Sequence, residues 1–565
     1  MQSKWLVELT RKELKRGIKR PRNYEVESKL SIETSAPMGN KMMNLGRSKQ
    51  LAKSARMKRK EIVQLNRSRR RTRIHTQSER RSEDNDSGGS KIWNFGGPTC
   101  ICQHCHAIMW HGEKPIHSKG ASFGLLCCKQ GRVTLPPLKE PPSYLASLLA
   151  VDGGKSSANY QQNIRSYNSM FALTSMGGSV DKNINKGRGP YVFRLKGQNY
   201  HHIGTLLPQE GDKPRFQQLY IYDTKNEIHN RLQVSRSGEC SAPLDESIIT
   251  GLVTMLNENN TLVQSFRMAR DRFEGHEYHN LTLRLIDNRE QDGRECNMPS
   301  ASDIAALIVK DPAEGSHRRD IVLEYKDMRP KRIPELHPKF MAMQYPLLFP
   351  YGEDGFRPGI RYRANGARNG KKYITMREYY AYRLQQRSDQ SMLMLMCGNL
   401  SMQFLVDVYA CIEQSRLDWI RKNQGALRTE LFSGLRDAIV KGDTRTEQVG
   451  RRILLPASFG GSPRCKEQNY QDAMAICRWA GYPDLFVTFT CNPKWPEIQC
   501  MLDEVGNQQK PAARPDIVVR VFMLKLKELM TDIKQRRHFG KTKASKYRKT
   551  HQINNTLKCN MLFYL

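Results

Sequence analysis

Apolar positions change rhythm several times along the chain. Leu405, Val408, Ile412, Trp419 and Ile420 recur at three-, four- and seven-residue spacings and predict one face of a helix over 401–424. A second helix, from 463 to about 480, is marked by its punctuation. Ser462 can cap it, Pro463 suits its first turn, Gly481 can end it and Pro483 forbids its return. Directly afterwards Leu485-Phe486-Val487-Thr488-Phe489-Thr490 alternates apolar and polar, the period of a half-buried strand. Phe522, Leu526, Leu529 and Ile533 then predict the buried stripe of a third helix over 516–534. Upstream, aromatic and β-branched content predicts strands over 191–195, 216–222, 281–286 and 321–325, with a turn at 197–199 and a helix over 244–256.

These elements are unevenly distributed and divide the chain. Residues 1–90 hold short basic clusters and few aromatics, and close on Ser82-Glu83-Asp84-Asn85-Asp86-Ser87-Gly88-Gly89-Ser90; they read as a disordered basic arm with a transient helix over 6–19. A cysteine-rich segment with a proline-rich linker spans 91–150, and an α+β domain spans 151–334. A helical and aromatic stretch over 335–540 passes at its end into a helix-strand-helix unit. Residues 541–565 read as a basic, weakly patterned and loose tail. The fold class that follows is α+β and multidomain: a disordered arm, a small zinc-finger-like segment, an α+β body and an incomplete α/β domain at the C-terminus. No tandem repeat is visible.

Charge changes this picture by naming a partner. The 565 residues carry 92 Lys+Arg against 56 Asp+Glu, a formal net charge of +36 and a pI near 9.8. The excess is concentrated at the ends, with 24 basic against 10 acidic residues in 1–90 and 11 against 2 in 521–565. Such a balance predicts a polyanion partner, because each phosphate neutralised by Lys or Arg releases condensed counterions. Nucleic acid is the expected partner; the family resemblance set out below narrows it to DNA, single-stranded DNA included. No basic stretch has a sustained apolar face, which disfavours a membrane surface. A mean hydropathy of −0.66 with no apolar run near the ~18 residues of a membrane span disfavours a membrane-spanning helix. The first ten residues lack a secretory-signal pattern, so the fourteen cysteines are expected in a reducing compartment. Lys58, Arg59, Lys60, Arg69, Arg70, Arg71 and Arg73 form clusters suited to nuclear import and to DNA contact, and the nucleus is the expected location.

Candidate chemistry is sparse. Cys102-x-x-Cys105 and Cys127-Cys128 offer four soft thiolates, enough for a tetrahedral Zn²⁺ site. Adjacent cysteines make an awkward second pair, so His104, His106, His111, His117 or Cys100 stand as alternatives for one ligand. No phosphate-cradling G-x-x-x-x-G-K-[ST] loop occurs in these residues, nor HExxH or G-x-S-x-G. Cys397, Cys411 and Cys477 fall at helical core spacing and read as buried apolar residues. Arg377 and Arg383 flank Tyr379, Tyr380 and Tyr382, a face that can stack on bases while arginines meet phosphates, or a helix whose tyrosines pack inward. Lys494 lies in the rigid turn Asn492-Pro493-Lys494-Trp495-Pro496 and completes the candidate DNA-contacting set.

Several long stretches resemble a known family. They are Asn163-Ile164-Arg165-Ser166-Tyr167-Asn168-Ser169, Gly187-Arg188-Gly189-Pro190-Tyr191-Val192-Phe193-Arg194, Tyr345-Pro346-Leu347-Leu348-Phe349-Pro350-Tyr351-Gly352, Asn469-Tyr470-Gln471-Asp472-Ala473-Met474-Ala475-Ile476-Cys477-Arg478 and Phe489-Thr490-Cys491-Asn492-Pro493-Lys494-Trp495-Pro496-Glu497-Ile498. The resemblance is to the plant-type Helitron transposase, in its helicase-like amino-terminal region, and runs from about Cys102 to Phe539. It implies a rolling-circle transposon protein in which a cysteine-rich DNA-binding region precedes a Rep-type nuclease and a helicase. In that nuclease a His-hydrophobic-His pair on a strand holds a divalent cation and a downstream tyrosine attacks the phosphate. Thr488, Phe489 and Thr490 resemble the first strand of the nuclease domain. The next expected strand, with its His-x-His pair, is not recognisable in 541–565, where His538 and His551 are not spaced as a pair. The chain therefore reads as truncated before that motif, and no catalytic residue is assigned.

The leading expectation is a Helitron-derived DNA-binding protein without nuclease or helicase activity, holding Zn and using neither Mg or Mn nor ATP. Two others stand beside it: the amino-terminal portion of an active Rep/helicase transposase from an incomplete gene model, and a domesticated interaction protein without a DNA role.

Overall fold

The computed structural model describes residues 94–114, 124–150, 152–181, 183, 195–196, 199–209, 211–235, 243–275, 282–285, 305–308, 321–324, 331–363, 372–427, 453, 455–460, 462–504, 510–552 and 556–564. The basic arm over 1–90, with its predicted helix and the cluster from Lys58 to Arg73, lies outside the described residues, as do His117 and the larger part of the strand expected over 191–195. Helices alternate with small sheets, every described one antiparallel, in an α+β arrangement.

In chain order, β1 (Cys100–Ile101) and β2 (Ile108–Met109) form a short hairpin, and α1 (Gly124–Cys127) is a single turn. Next come α2 (Ser143–Leu149), α3 (Gly154–Phe171), β3 (Ser175–Met176), β4 (Ser179–Val180), β5 (Leu195–Lys196), β6 (Tyr200–Ile203), α4 (Glu227–Ser235), α5 (Glu246–Asn259) and α6 (Thr261–Gly275). Strands β7 (Thr282–Leu285), β8 (Ala305–Ile308) and β9 (Ile321–Glu324) make a sheet in the order β8-β7-β9. Strand β10 (Lys331–Pro334) joins β6 and β3 in another. Then follow α7 (Phe340–Gln344), α8 (Met376–Arg383), α9 (Leu393–Met396) and α10 (Gly398–Lys422). The last group is α11 (Pro463–Ala480), β11 (Leu485–Thr490), α12 (Pro496–Glu504), α13 (Pro515–Lys534), β12 (Ala544–Gln552) and β13 (Thr556–Tyr564).

One core gathers residues from Cys102 to Cys411. Helix α3 contributes Tyr160, Ile164, Tyr167, Met170 and Phe171, α5 contributes Ile248, Ile249, Leu252, Met255 and Leu256, and α10 contributes Leu400, Phe404, Val408 and Cys411. Each set follows the 3.6-residue period, so burial of one stripe is what holds each helix. Local capping fixes their ends. Asp245 accepts from Ser247 N at 2.9 Å to start α5, and Asn260 Oδ1 accepts from Leu262 N and Val263 N to start α6 where α5 stops. One charged group inside this core is paired: Glu227 meets Arg231 and Arg267, and the Arg231 guanidinium lies over Phe171 and Tyr220. The boundary expected at 334 runs through this core, because Ile333 and Phe340 pack with residues on both sides of it.

A second core gathers Cys491, Ile498, Met501, Leu502, Ile517, Val521, Phe522, Leu526, Ile533, Cys559, Met561 and Phe563. Ser462 caps α11 by accepting from Cys465 N at 3.0 Å, and Gly481 ends the helix at φ 84°, where a side chain would be strained. Strand β11 alternates as expected. Phe489 points inward and stacks on Phe522 of α13 at 5.4 Å, while Phe486 stays 66 % exposed.

Three expectations are corrected. Residues 216–222 are not a strand: Phe216–Tyr220 is a 3-10 turn whose buried Tyr220 donates to Phe171 O at 2.7 Å, and Gln217 and Gln218 bond Thr205 O, so no ladder partner is needed. Trp419, expected on the buried stripe of α10, is 58 % exposed, because the stripe drifts around the helix over its 25 residues. The described residues of 541–565 are not a loose tail: β12 and β13 pair antiparallel, and β13 pairs with β11 to give the sheet order β11-β13-β12. Leu557, Cys559, Met561 and Phe563 alternate along β13, and Cys559, Met561 and Phe563 are fully buried, so apolar burial fixes a strand whose basic content masked it.

Candidate metal centre and nucleic-acid interface

The four cysteines singled out from the sequence, Cys102, Cys105, Cys127 and Cys128, converge. In the β1–β2 hairpin Cys102 N donates to Ala107 O at 3.0 Å and His106 N donates to Cys102 O at 2.9 Å, a tight loop that turns both sulfurs of the C-x-x-C to one side. The other pair is presented by a reversal. Cys127 ends α1, and Lys129, Gln130 and Gly131 all have positive φ, which brings Val133 N back to Cys128 O at 3.0 Å. That abrupt change of direction brings neighbouring cysteines to a common point. Gly131 is required here: it has φ 77°, a Cβ would stand 3.2 Å from the His104 ring, and its N–H donates to Cys128 Sγ at 3.2 Å.

All four Sγ atoms lie within 4.8 Å of one another, with Cys102–Cys128 and Cys127–Cys128 both at 3.8 Å, and every one of the residues is buried. A tetrahedron with Zn–S bonds of about 2.3 Å has edges of about 3.8 Å, so the donor set fits a metal such as zinc. Hydrogen bonds from Cys105, Cys127 and Cys128 pull the Cys102 thiol well below its ordinary range, which favours the thiolate that ligation needs. Of the alternative ligands among the described residues, His106 is exposed and faces Asp389 at 3.1 Å, His104 and His111 are exposed, and Cys100 is half-buried on β1.

The centre is wired into both cores. Arg387 donates from Nε to Cys105 O at 2.7 Å and places NH2 3.6 Å from Cys105 Sγ, a fixed cation beside the thiolates. Ile108 N donates to Gln386 O, and Lys129 pairs with Glu378 of α8. On the other side Trp110 is 1 % exposed in the second core, with the Arg520 guanidinium 4.6 Å from its ring. Arg520 pairs with Glu113 at 2.7 Å, and Phe95 N donates to Glu497, which pairs with Lys525.

The expected DNA-contacting residues separate. Arg377 and Lys494 are exposed. Arg383 is corrected: it is buried, donates from NH1 to Pro136 O at 2.5 Å and lies over Tyr379. Tyr379, Tyr380 and Tyr382 are buried with it, so this helix packs inward and offers no stacking face. Cys397 and Cys411 are buried as expected, and burial pushes the Cys397 thiol up to about 12. Cys477 is half-buried, 3.4 Å from Tyr564 Oη.

Sequence reasoning overlooked a surface. Around α11 and β11, Tyr470, Trp479, Tyr482 and Phe486 are 58 %, 72 %, 89 % and 66 % exposed, with Lys466 four residues before Tyr470 and Arg478 next to Trp479. The outward positions of β11 are Phe486, Thr488 and Thr490, and the register sets Leu562, Asn560 and Lys558 of β13 opposite them. Lys546, Arg548 and Thr550 of β12 complete the three rows. The alternation of 557, 559, 561 and 563, with the Asn554-Asn555 pair before it, was the available signal.

Residues 379–554, just under a third of the chain, match the model of the Helitron helicase-like domain at the N-terminus. The match begins in α8 and continues through β12, beyond the Phe539 limit and into the stretch expected not to match. No curated protein matches the chain. Over residues 379–554 the protein is thus similar to the Helitron helicase-like domain at the N-terminus, a domain of a transposon-related family.

Proposed function

We propose that this chain is a Helitron-derived DNA-binding protein of the rolling-circle transposition family, acting in the nucleus on single-stranded DNA, and that the residues present here perform neither strand cleavage nor ATP-driven unwinding. The observation that carries the reading is the exposure of Tyr470, Trp479, Tyr482 and Phe486 on one helix-strand unit inside the matched domain. Unpaired bases stack on exposed aromatic rings, and Arg and Lys meet the phosphates between them. Cys102, Cys105, Cys127 and Cys128 hold zinc in this reading, in a closed structural site that ties the hairpin of β1 and β2 to the reversal after α1. All four positions are protein thiolates, which leaves no open position for water or substrate.

The test is fluorescence anisotropy of the full chain with labelled oligothymidylate across a salt series. Affinity should fall as salt rises, and Trp479→Ala should weaken binding by about 1–3 kcal/mol, the worth of one stacked base. Binding that ignores ionic strength would refute phosphate contacts. Incubating the same strand with the protein and Mg²⁺ or Mn²⁺ should leave it intact, and a cleaved or protein-linked product would overturn the claim of inactivity.

A further inference from the structure

Arg231, Arg267, Arg514 and Arg520 each meet a carboxylate inside the fold. One stretch departs from this pattern. From Gly355 to Arg377 the chain carries seven basic residues and no acidic one. Two described segments of it, 360–363 and 372–374, run antiparallel. Tyr362 N donates to Lys372 O at 3.1 Å, Ile374 N donates to Ile360 O at 2.8 Å, and Arg361 pairs with Tyr373 in an antiparallel bridge. Alternation sorts the two sides. Ile360, Tyr362 and Ile374 are buried in the first core, whereas Arg361, Arg363 and Tyr373 are exposed, Tyr373 by 48 %. Lys372 and Arg377 are exposed as well.

This antiparallel pair is fastened to the reversal that presents Cys127 and Cys128. Arg363 N donates to Arg132 O at 3.0 Å, and the Arg132 guanidinium lies 4.8 Å from the centre of the Tyr362 ring, its Nε buried without a hydrogen-bond partner. The nearest acid that follows, Glu378, is engaged by other groups: it accepts from Tyr362 Oη at 2.6 Å and from Thr375 N at 2.9 Å, and it pairs with Lys129. Among the described residues, Arg361, Arg363, Lys372 and Arg377 take part in no ion pair. Like charges gathered without a counter-charge repel one another, and a polyanion relieves that repulsion while releasing its own condensed counterions.

We propose that the exposed side of 360–363 and 372–374, together with Arg377, is a second nucleic-acid surface, one that takes the sugar-phosphate backbone of duplex DNA. A duplex keeps its bases stacked inside and carries about one negative charge per 1.7 Å of axis, so four unpaired cations beside a single exposed ring suit it. The four exposed rings around α11 and β11 suit unpaired bases instead. The surface precedes residue 379, outside the matched domain, and shares no residue with the aromatic face. The inference therefore goes beyond the single-strand reading.

The experiment is fluorescence anisotropy of the full chain with a short labelled DNA duplex and, separately, with labelled oligothymidylate, each across a salt series. Arg361→Ala with Arg363→Ala should weaken duplex binding about tenfold or more at about 0.1 M salt and lower the salt slope by about 1.8, two phosphate contacts at about 0.9 each. Arg361→Lys with Arg363→Lys should keep the slope. Oligothymidylate binding by the alanine pair should stay within about twofold of wild type, because the single strand uses the other face. Both positions are exposed, and a native circular dichroism spectrum of the alanine pair excludes misfolding as the cause of a loss. An alanine pair with wild-type duplex affinity and slope would overturn the proposal, as would equal losses on both probes or a lysine pair that loses as much as the alanine pair. Tighter binding to an RNA duplex of the same sequence would overturn the assignment to DNA. The two readings fail separately: Trp479→Ala without effect on oligothymidylate removes the single-strand reading, and wild type that ignores the duplex removes this one.

Discussion

Removing the Glu113 carboxylate should uncouple the cysteine-rich hairpin from the C-terminal core, at a cost that the geometry allows to be estimated. Glu113 accepts from Arg520 Nε at 2.9 Å and from NH2 at 2.7 Å, and both side chains are less than a tenth exposed. The same carboxylate accepts from Trp110 N at 2.9 Å, and Arg520 also donates to Ile108 O and covers the Trp110 ring. Glu113→Ala therefore strands a buried guanidinium and a backbone donor together. Breaking a buried pair from one side costs about 3–5 kcal/mol, whereas an exposed pair is worth about 0–1 kcal/mol. Replacing both partners, Glu113→Leu with Arg520→Met, removes the stranded charge and should restore most of the loss. The assay is urea unfolding followed by far-ultraviolet circular dichroism. With a slope of about 2 kcal/mol per molar urea, the single variant should shift the midpoint down by about 2 M and the double variant by less than about 0.5 M. A Glu113→Ala midpoint within about 0.3 M of wild type, roughly the resolution of such a titration, would refute the clamp.

Four further outcomes follow from the same structure. Cys105→Ser should remove zinc from the purified chain, while Cys100→Ser, half-buried on β1, should leave it in place; unchanged metal in the first variant would strike Cys105 from the site. Phe522→Ala, which empties a fully buried ring stacked on Phe489, should destabilise the second core by about 3–5 kcal/mol in urea unfolding, and a loss below about 1 kcal/mol would deny that stack its role. Burial raises the Glu353 carboxyl to about 7 from an ordinary value near 4.5. The folded state then binds its proton more tightly, so its contribution to stability is fully present below about 4.5 and is lost as pH rises through about 7; Glu353→Gln should match wild type at pH 5 and exceed it at pH 8, and a parallel pH profile would contradict the sign. Replacing Lys58, Arg59, Lys60, Arg69, Arg70, Arg71 and Arg73 by Ala in a fluorescent fusion should abolish nuclear accumulation, and retained accumulation would remove these clusters as the import signal.

Local rules carried much of the fold. The caps at Ser462 and Gly481, the alternation of β11 and the stripes of α10 and α13 were legible because each depends on residues within a few positions of one another. The four thiolates were legible as a set, although nothing local showed that adjacent Cys127 and Cys128 can meet at one point. That required three successive positive φ angles and the His104 ring beside Gly131. Arg383 shows the opposite limit. Its place among tyrosines fitted a nucleic-acid face and a buried helix equally well, and a carbonyl 247 residues away in sequence, that of Pro136, decides for burial.

The sequence by itself determined the net charge, the cysteine set and the residues that alternate or recur, because these are properties of composition and spacing. Tertiary structure alone decided which strands pair. The stretch from Ala544 to Tyr564 looked loose because lysines and asparagines interrupt its apolar positions, yet β11 offers an unpaired edge and α13 an apolar face, and burying Cys559, Met561 and Phe563 between them sets the register. A strand's side chains alternate with period two, so that same burial sets Leu562 on the other face of β13, opposite Phe486 of β11.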